Sequence, residues 1–354
     1  MTIKTIGIIG GGQLGRMLAI AASRLNYRVV ILEPQADCPA AQVANAQIVA
    51  AYDDQAALSE LAERCDVITY EFENVPVDAA AFLDRIKPVF PPPRALEVAQ
   101  DRLNEKIFLN SSGIETAQFH AVDSQQDLDR ALADFGGQGV LKTRRLGYDG
   151  KGQKVFRPGD DCAGAYAELG SVPLILESFV AFEREISVIA ARSRSGLVRC
   201  YEPAENVHRD GILHISTVPA RISDTLRQQA VSAAEALLGA LDYIGVIGIE
   251  FFVAEDGRLI ANEIAPRVHN SGHWTEAACV ISQFEQHIRA IAGLPLGNPR
   301  HHSECVMQNL IGDDIHDLAI WAEQDDVLIH LYGKSEPRPG RKMGHVTSLT
   351  GPAR

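Results

Sequence analysis

Two sets of residues in this chain have types and spacing that could do chemistry. The first is Val140-Leu141-Lys142-Thr143-Arg144-Arg145-Leu146-Gly147-Tyr148-Asp149-Gly150-Lys151-Gly152, in which lysines flank a loop with three glycines in six positions. Glycine admits φ > 0 and presents N–H groups to an oxyanion without Cβ interference. Lys142 and Lys151 supply the matching charge, so the loop suits a flexible cover over a polyphosphate; a lysine-rich surface hairpin is the alternative. It is not a P-loop, because the G-x-x-x-x-G-K-[ST] order is absent. The second set lies about a hundred residues on, where Glu250, Asn262 and Glu263 would share a hairpin. Hard oxygen ligands on rigid strands suit Mg²⁺, which takes one or two carboxylates together with substrate phosphates. Two exposed glutamates on an ordinary hairpin is the competing reading, but Glu250 stands inside an apolar run where an unpaired charge is costly.

Two further clusters are rich in phosphate-binding types. Arg267-Val268-His269-Asn270-Ser271-Gly272-His273 is a dense polar loop directly after the hairpin, and is expected to contact an anionic group of a substrate. Lys334, Arg338 and Arg341 could clamp a phosphate, for which arginine forks are suited; a basic tail without a ligand is the alternative. Near the start, Gly10-Gly11-Gly12-Gln13-Leu14-Gly15 follows a strand pattern, with the acidic Glu33 about twenty residues on. Alone, this pattern reads as dinucleotide binding and an NAD-linked oxidoreductase. Nothing downstream supplies a hydride-transfer partner that the metal hairpin does not explain better.

The elements that must position these groups follow from patterning. Thr5–Ile9 and Arg28–Leu32 read as buried strands around an amphipathic helix, and Asp66–Pro76 as a further strand running out at an acidic loop. Asn74 there could cap the helix that starts before Pro76. The proline-rich stretch from Pro88 to Pro93 marks a domain boundary. Ala95–Asn110 reads as one helix, with Arg102 and Lys106 on it at i, i+4; a solvated basic face is one reading of that pair. Gln118 to about Glu177 reads β-α-β-β-α-β. Pro173–Val180 and Phe182–Ser187 are strands, with Glu183 and Arg184 on a wet face, and His208 is either a turn histidine or a nucleotide contact. Ser223–Leu241 and Glu276–Ala292 are packing helices. Tyr243–Val253, the turn Glu255-Asp256-Gly257 and Arg258–Ile264 form an antiparallel hairpin. Val306–Ile311, Val327–Tyr332 and Gly344–Ser348 suggest a small terminal β-rich unit.

The lysine strand, glycine loop and Glu…Asn-Glu hairpin resemble the ATP-grasp superfamily. Gln100–Lys106, Gly147–Gln153, Asn262–Thr275 and Arg341–His345 narrow this: in that order, and covering nearly the whole chain, they are similar to the N5-carboxyaminoimidazole ribonucleotide synthetases, ATP-dependent carboxylating enzymes of purine biosynthesis. The resemblance implies an α/β and α+β fold: a Rossmann-like pre-ATP-grasp domain (1–93), an ATP-grasp region (94–298) with a lid at about 118–178, and a small β-rich domain (299–354). It implies that the cofactors are ATP and Mg²⁺, and that 5-aminoimidazole ribonucleotide and bicarbonate are the substrates. ATP would meet Arg102, Lys142, the Gly147, Tyr148, Asp149, Gly150, Lys151, Gly152 and Gln153 loop, Asn262 and Glu263. Glu177, Ser178, Phe179 and Val180 would flank adenine, Glu185 would take the ribose hydroxyls, and His208 would touch the nucleotide. Glu250 and Glu263 would ligate the metal. The ribonucleotide would meet Gln13, Leu14, Glu73, Asn74, Tyr148, Asn270, Ser271 and His273, with its phosphate at Lys334, Arg338 and Arg341. Asp149, Lys151, His269 and Arg267 would share the chemistry. Relatives commonly continue for another helix beyond Arg341–His345, where this chain has only Val346–Arg354. A formate-dependent glycinamide ribonucleotide formyltransferase and a non-catalytic nucleotide sensor share the architecture and remain the alternatives.

Composition bounds the setting. The 354 residues are 46% hydrophobic and 22% charged, ordinary for a globular chain of two or three domains. With 33 basic and 46 acidic side chains the net charge is −13, which argues against a broad nucleic-acid surface. The six cysteines are scattered without metal spacing, pointing to a reduced cytoplasmic chain. No leader pattern and no long apolar window is present, so no membrane span is expected. A homodimer is expected from the resemblance.

Overall fold

The computed structural model describes residues 3–147 and 152–353. Tyr148, Asp149, Gly150 and Lys151 of the expected glycine loop lie outside the described residues.

The first unit runs β1 (Thr5–Ile9), α1 (Gln13–Arg24), β2 (Arg28–Leu32), β3 (Ala46–Ile48), α2 (Gln55–Arg64), β4 (Val67–Tyr70) and α3 (Val77–Asp84). Its parallel strands are ordered β3-β2-β1-β4, so the order reverses beside β1. Strands buried on both faces need near-continuous apolar runs, and Ile6, Ile8, Val29, Ile31, Val67 and Ile68 supply them. Ligands of such sheets bind at the carboxyl ends next to the reversal. Here those ends release Gly10–Leu14 from β1 and Glu71–Asn74 from β4. Helix α3 starts on Pro76 without a side-chain cap, so Asn74 does not cap it.

Next come α4 (Pro93–Ala99) and α5 (Arg102–Ser111). The single helix expected over Ala95–Asn110 is broken: Asp101 takes extended angles and its carboxylate accepts from the N–H groups of Leu103 and Asn104. A carboxylate at this position satisfies donors that a new helix leaves orphaned. The lid is β5 (Phe119–Val122), α6 (Gln125–Asp134), β6 (Gly139–Thr143), β7 (Gln153–Phe156), α7 (Ala165–Glu168) and β8 (Leu174–Glu177), in the expected β-α-β-β-α-β order. Its antiparallel sheet is ordered β5-β8-β6-β7.

The body contains β9 (Phe182–Arg192), β10 (Val198–Cys200), β11 (Ala204–Arg209), β12 (Ile212–Val218), α8 (Asp224–Ala240), β13 (Gly245–Ala254) and β14 (Leu259–Ala265). It continues through α9 (Thr275–Ala278), α10 (Gln283–Ala292), β15 (Ser303–Ile311), α11 (Leu318–Ala322), β16 (Val327–Leu331) and β17 (Lys342–Pro352). The helix expected over Glu276–Ala292 is split, because Cys279 is extended and Ser282 opens α10 by accepting from Glu285 N. The last three strands form the expected β-rich terminal unit, and its sheet is continuous with that of the body. They extend the body sheet, ordered β14-β13-β9-β11-β12-β15-β17-β16, through antiparallel pairing of β15 with β12.

Units are fastened by packing and by one buried histidine. A continuous core joins Leu14, Met17 and Leu18 of α1 to Phe284, Ile288 and Ile291 of α10. His287 is fully buried; its Nε2 lies 2.8 Å from Thr69 Oγ1 of β4, and its Nδ1 accepts from Val246 N of β13 at 3.1 Å. The first unit and the body are therefore held in one orientation across the cleft between them.

Candidate active site

A cleft of about 480 Å³ opens where the first unit, the lid and the body meet. Its lining brings together Gln13, Leu14, Glu73, Asn74, Arg102, Lys142, Gly147, Gln153, Glu185, His208, Glu250, Asn262, Glu263, Arg267, His269 and Asn270, residues that the sequence scatters over more than 250 positions. A larger open groove of about 930 Å³ lies between α8 and the β13–β14 turn, but it lacks this convergence of charged groups.

One half of the cleft is built around buried opposite charges. Lys142 at the end of β6 donates to Glu177 at the end of β8 (3.0 Å), and Lys106 of α5 reaches the same carboxylate at 3.4 Å while donating to Asn262 O at 2.7 Å. Burial pushes the Glu177 carboxyl up, but the two lysines outweigh it and hold it down at about 2. Lys142 is lowered by the same burial, with Glu177 opposing. Glu177 Oε1 is buried and has no hydrogen-bond partner. Ser178 follows with its N–H on Gln118 O, and Phe179 is 49% exposed.

Across from the lysines stand the hairpin carboxylates. Glu250 and Glu263 are register partners on β13 and β14, and a bulge follows Glu250. Arg102 Nη1 lies 3.1 Å from Glu263. Burial, then the charge of Glu263, pushes Glu250 up to about 7; Glu263 is held low by Arg102 against its own burial. Asn262 Oδ1 is buried without a partner. Two carboxylates forced together plus an orphaned carboxamide oxygen form the all-oxygen set that a hard divalent cation takes, so these residues fit Mg²⁺. Glu185 lies 2.9 Å from His208 Nδ1. Burial lowers the His208 pKa, but the bond to Glu185 and nearby carboxylates raise it overall.

The other half faces the first unit. The glycine turn is occupied from below: Gly11 N donates to Glu33 (2.9 Å), and Gly12 N and Gly15 N donate to Glu71 (2.6 and 3.0 Å). Gly10 sits at φ +102°, and a Cβ on Gly12 would lie 2.7 Å from Glu71 Oε1. Carboxylates hold the amides that a dinucleotide pyrophosphate would need, which removes the oxidoreductase reading. Arg267 Nε donates to Glu73. Glu73, raised by burial, is pulled down to about 2 by that guanidinium.

His269 stands beside Arg267 as a neutral group. Burial and the neighbouring Arg267 push it down to about 3, so it is neutral. Ser187 Oγ donates to Ser271 Oγ (2.7 Å), which lies 2.8 Å from His269 Nδ1, and Ser271 N also points at that nitrogen (3.4 Å). This network assigns the proton to Nε2, which lies 3.7 Å from Glu250. Ser271 and His273 are fully buried and do not reach the cleft. Ser271 orients His269; His273 packs between Phe284, Tyr332 and His345. Lys334 donates to Lys342 O at 2.8 Å, on a loop docked to the first unit by Gln42 Nε2 on Gly333 O (3.2 Å). Arg341 donates to Glu336 O, and Arg338, 68% exposed, pairs with Glu336 instead of facing the cleft.

Comparison with known proteins settles the family. Family models match over residues 3–100 (ribonucleotide synthetase preATP-grasp domain), 107–284 (ATP-grasp domain) and 305–352 (phosphoribosylaminoimidazole carboxylase C-terminal domain). The N5-carboxyaminoimidazole ribonucleotide synthase of Brucella melitensis is 65% identical over 98% of this chain and 96% of its own length. The chain belongs to the N5-carboxyaminoimidazole ribonucleotide synthase family. The Staphylococcus aureus synthetase solved with ADP superposes with a TM-score of 0.94 at 39% identity, covering 98% of this chain and 93% of that one. The Aspergillus clavatus synthase, solved with ADP and 5-aminoimidazole ribonucleotide, superposes at 0.93 with 32% identity over 99% and 94%.

Several polar groups of this synthase-family site escape sequence reasoning. Lys106 carries the spacing of a solvated helix face, yet is 1% exposed. Glu105, also buried and pushed up to about 7 by burial, accepts from Ile264 N and ties α5 to the hairpin. Glu71 looks like one of several loop acids, and Ser187 like a strand serine. Lys342 lines the cleft and stands inside the Arg341–His345 motif, the one available signal for it.

Proposed function

We propose that this chain carboxylates 5-aminoimidazole ribonucleotide with bicarbonate at the expense of ATP, giving N5-carboxyaminoimidazole ribonucleotide, ADP and phosphate in purine biosynthesis. The observation that carries the reading is the single cleft whose lysine–carboxylate half and Glu73–Arg267–His269 half face each other, so that two substrates can meet. A bicarbonate oxygen attacks the γ-phosphorus, the bond to the β,γ-bridging oxygen breaks, and ADP and carboxyphosphate form. The exocyclic amine then attacks the carboxyl carbon, the C–O bond to phosphate breaks, and the nitrogen loses a proton.

Phosphoryl transfer asks for position and charge more than for covalent help. Arg102 and Lys142, which line the cleft, present positive charge to phosphate oxygens, Lys106 stays buried against Glu177 and Asn262 O, and Glu177 Oε1 is the acceptor left for the adenine amine. Glu185, braced by His208, is placed for the ribose hydroxyls. Glu250, Glu263 and Asn262 Oδ1 would hold Mg²⁺, which when bound neutralises charge on the transferring phosphates. Gln13, Leu14, Asn74, Asn270 and Lys342 line the ribonucleotide side, with Lys334 and Arg341 assigned to its phosphate. Arg267, fixed by Glu73, supplies positive charge for carboxyphosphate, and neutral His269 donates from Nε2–H. We assign Asp149 to orienting the attacking amine and Lys151 to the phosphates by family resemblance. A cytoplasmic homodimer is the assembly the same resemblance supports; no helix among the described residues is long and apolar enough to cross a membrane.

The test is ADP release by the purified protein with Mg²⁺-ATP, adding the ribonucleotide and bicarbonate singly and together. Release that requires the ribonucleotide, with bicarbonate carbon incorporated, is expected. ADP formed only with formate and glycinamide ribonucleotide would replace this reading.

A further inference from the structure

We propose a second metal site, separate from the magnesium hairpin, in which Glu276, His330 and His345 bind one zinc ion where the terminal strands pack on α9. His330 of β16 and His345 of β17 are direct cross-strand partners, and their rings stack 5.2 Å apart at 11°. Glu276 enters from α9, with Oε2 lying 3.0 Å from His330 Nδ1 and 4.0 Å from His345 Nε2. All three ligand atoms fall within 4.8 Å of one another. Around a tetrahedral zinc with bonds of about 2.1 Å, neighbouring ligand atoms sit about 3.4 Å apart. The rings lie near-parallel, so closing the shell takes a turn of the exposed-side His330 ring out of the stack until its Nδ1 and His345 Nε2 face one point beside Glu276.

Two observations favour a shared cation over a plain histidine–glutamate pair. Glu276 Oε2 is buried and makes no hydrogen bond, although His330 Nδ1 is so near. The close approach thus lacks the alignment of an N–H donor and leaves Glu276 Oε2 an unmet acceptor beside the two rings. On the far side of His345, Nδ1 lies 2.9 Å from the buried Tyr332 hydroxyl, so Nε2 is the nitrogen turned to Glu276. An outer partner of this kind fixes the ring of a ligating histidine. Two imidazoles and one carboxylate form a donor set suited to zinc, whereas magnesium and calcium prefer oxygen alone. The site is wet on one side, with side-chain exposures of 22% for His330 and 27% for Glu276 against 3% for His345, leaving an open fourth position. Its position gives it a role: β16 is an edge strand, and its continuation through Tyr332 carries Lys334. Zinc there would pin that edge to β17 and α9.

The experiment is calorimetric titration of the chelator-stripped full chain with zinc chloride in excess Mg²⁺, alongside Glu276→Gln and His330→Gln. One zinc per chain is expected, with affinity falling at least about tenfold in each variant. The zinc-induced rise in thermal midpoint should be lost in both. Cobalt(II) loaded into the unaltered chain should give visible d–d bands without a thiolate charge-transfer band. Absence of saturable zinc uptake, equal uptake by all three proteins, or a thiolate band in the cobalt spectrum would each overturn the assignment. The cobalt measurement decides even where a variant fails to fold.

Discussion

Replacing Glu177 by glutamine removes one negative charge at a point where two buried ammonium groups converge. The carboxyl is 4% exposed, 3.0 Å from Lys142 Nζ and 3.4 Å from Lys106 Nζ, so solvent screening gives little relief. Its pKa of about 2 against an ordinary 4.5 is a difference of about 2.5 units. At 1.36 kcal/mol per unit this corresponds to about 3 kcal/mol of folded-state stabilisation near neutral pH. A glutamine keeps the shape and can still accept a hydrogen bond, but leaves the lysines without this counter-charge, and breaking a buried pair from one side costs on the order of 3–5 kcal/mol. Urea unfolding of the free chain at pH 7.5 should therefore show the variant less stable by about 3 kcal/mol. The sign of the pH dependence follows from the depressed pKa. The contribution is present in full above the unfolded value of 4.5 and is lost as pH falls through 4.5 toward about 2, so the gap between the two proteins must narrow over that window. A polyanion supplies the missing charge, and saturating tripolyphosphate should also narrow the gap at pH 7.5. A loss below about 1 kcal/mol, or a gap that is the same at every pH, would refute the electrostatic account and leave only a packing effect.

Three further outcomes follow from the same geometry. Glu73→Gln releases Arg267 on the ribonucleotide side only; steady-state kinetics should show KM for the ribonucleotide raised about tenfold or more while ATP affinity, read by calorimetry, is unchanged. Ser271→Ala removes the group that fixes His269 as the Nε2–H tautomer without touching the cleft; kcat should fall on the order of 10-fold to 100-fold with KM for ATP preserved, and Ser271→Thr should restore much of it. His287 is held neutral at about 3 by burial, with Nδ1 accepting from Val246 N. Its stabilisation is complete above the unfolded value of 6.5 and is lost as pH falls from 6.5 to about 3. His287→Gln should lower stability at pH 7.5 by about 1–3 kcal/mol and make the acid limb of stability against pH shallower by up to one proton.

What the sequence made legible was local. The hairpin of Glu250 and Glu263 is written in an apolar run, a Glu-Asp-Gly turn and its partner strand, but the turn's register alone would set Glu250 opposite Asn262, and the bulge after Glu250 is what makes Glu263 its partner. The lid order could be read in the same way. Features that depend on contacts distant in sequence could not. Lys106 has the spacing of a wet helix face because what buries it, Glu177 and the carbonyl of Asn262, arrives from β8 and β14. Pairing of β15 with β12 joins residues about ninety apart, so the expected β-rich terminal unit continues the body sheet, which local patterning could not show. The two helix breaks did carry a local signal: Asp101, and Ser282 three residues before Glu285, are both capping patterns that helical periodicity overshadowed.

The two serine–histidine and lysine–carboxylate networks explain why these errors cluster at the site. Sequence patterning assigns charged residues to water, and a catalytic cleft does the reverse, burying charges and compensating them by partners from other elements. His269 is the clearest case. Its type suggests a cation beside anionic substrates, but Arg267 already holds that charge, and a second cation buried beside it would be strongly disfavoured. The fold instead spends two serines, Ser187 from β9 and Ser271 from the loop after β14, on keeping the imidazole neutral and oriented. Division of labour between a fixed guanidinium and a neutral N–H donor follows from that arrangement. It requires that a His269→Lys substitution, which introduces a positive charge, lose most of the turnover while His269→Gln retains more of it. Relative rates of the two variants at pH 7.5 decide the point, and a faster lysine variant would give His269 a cationic role.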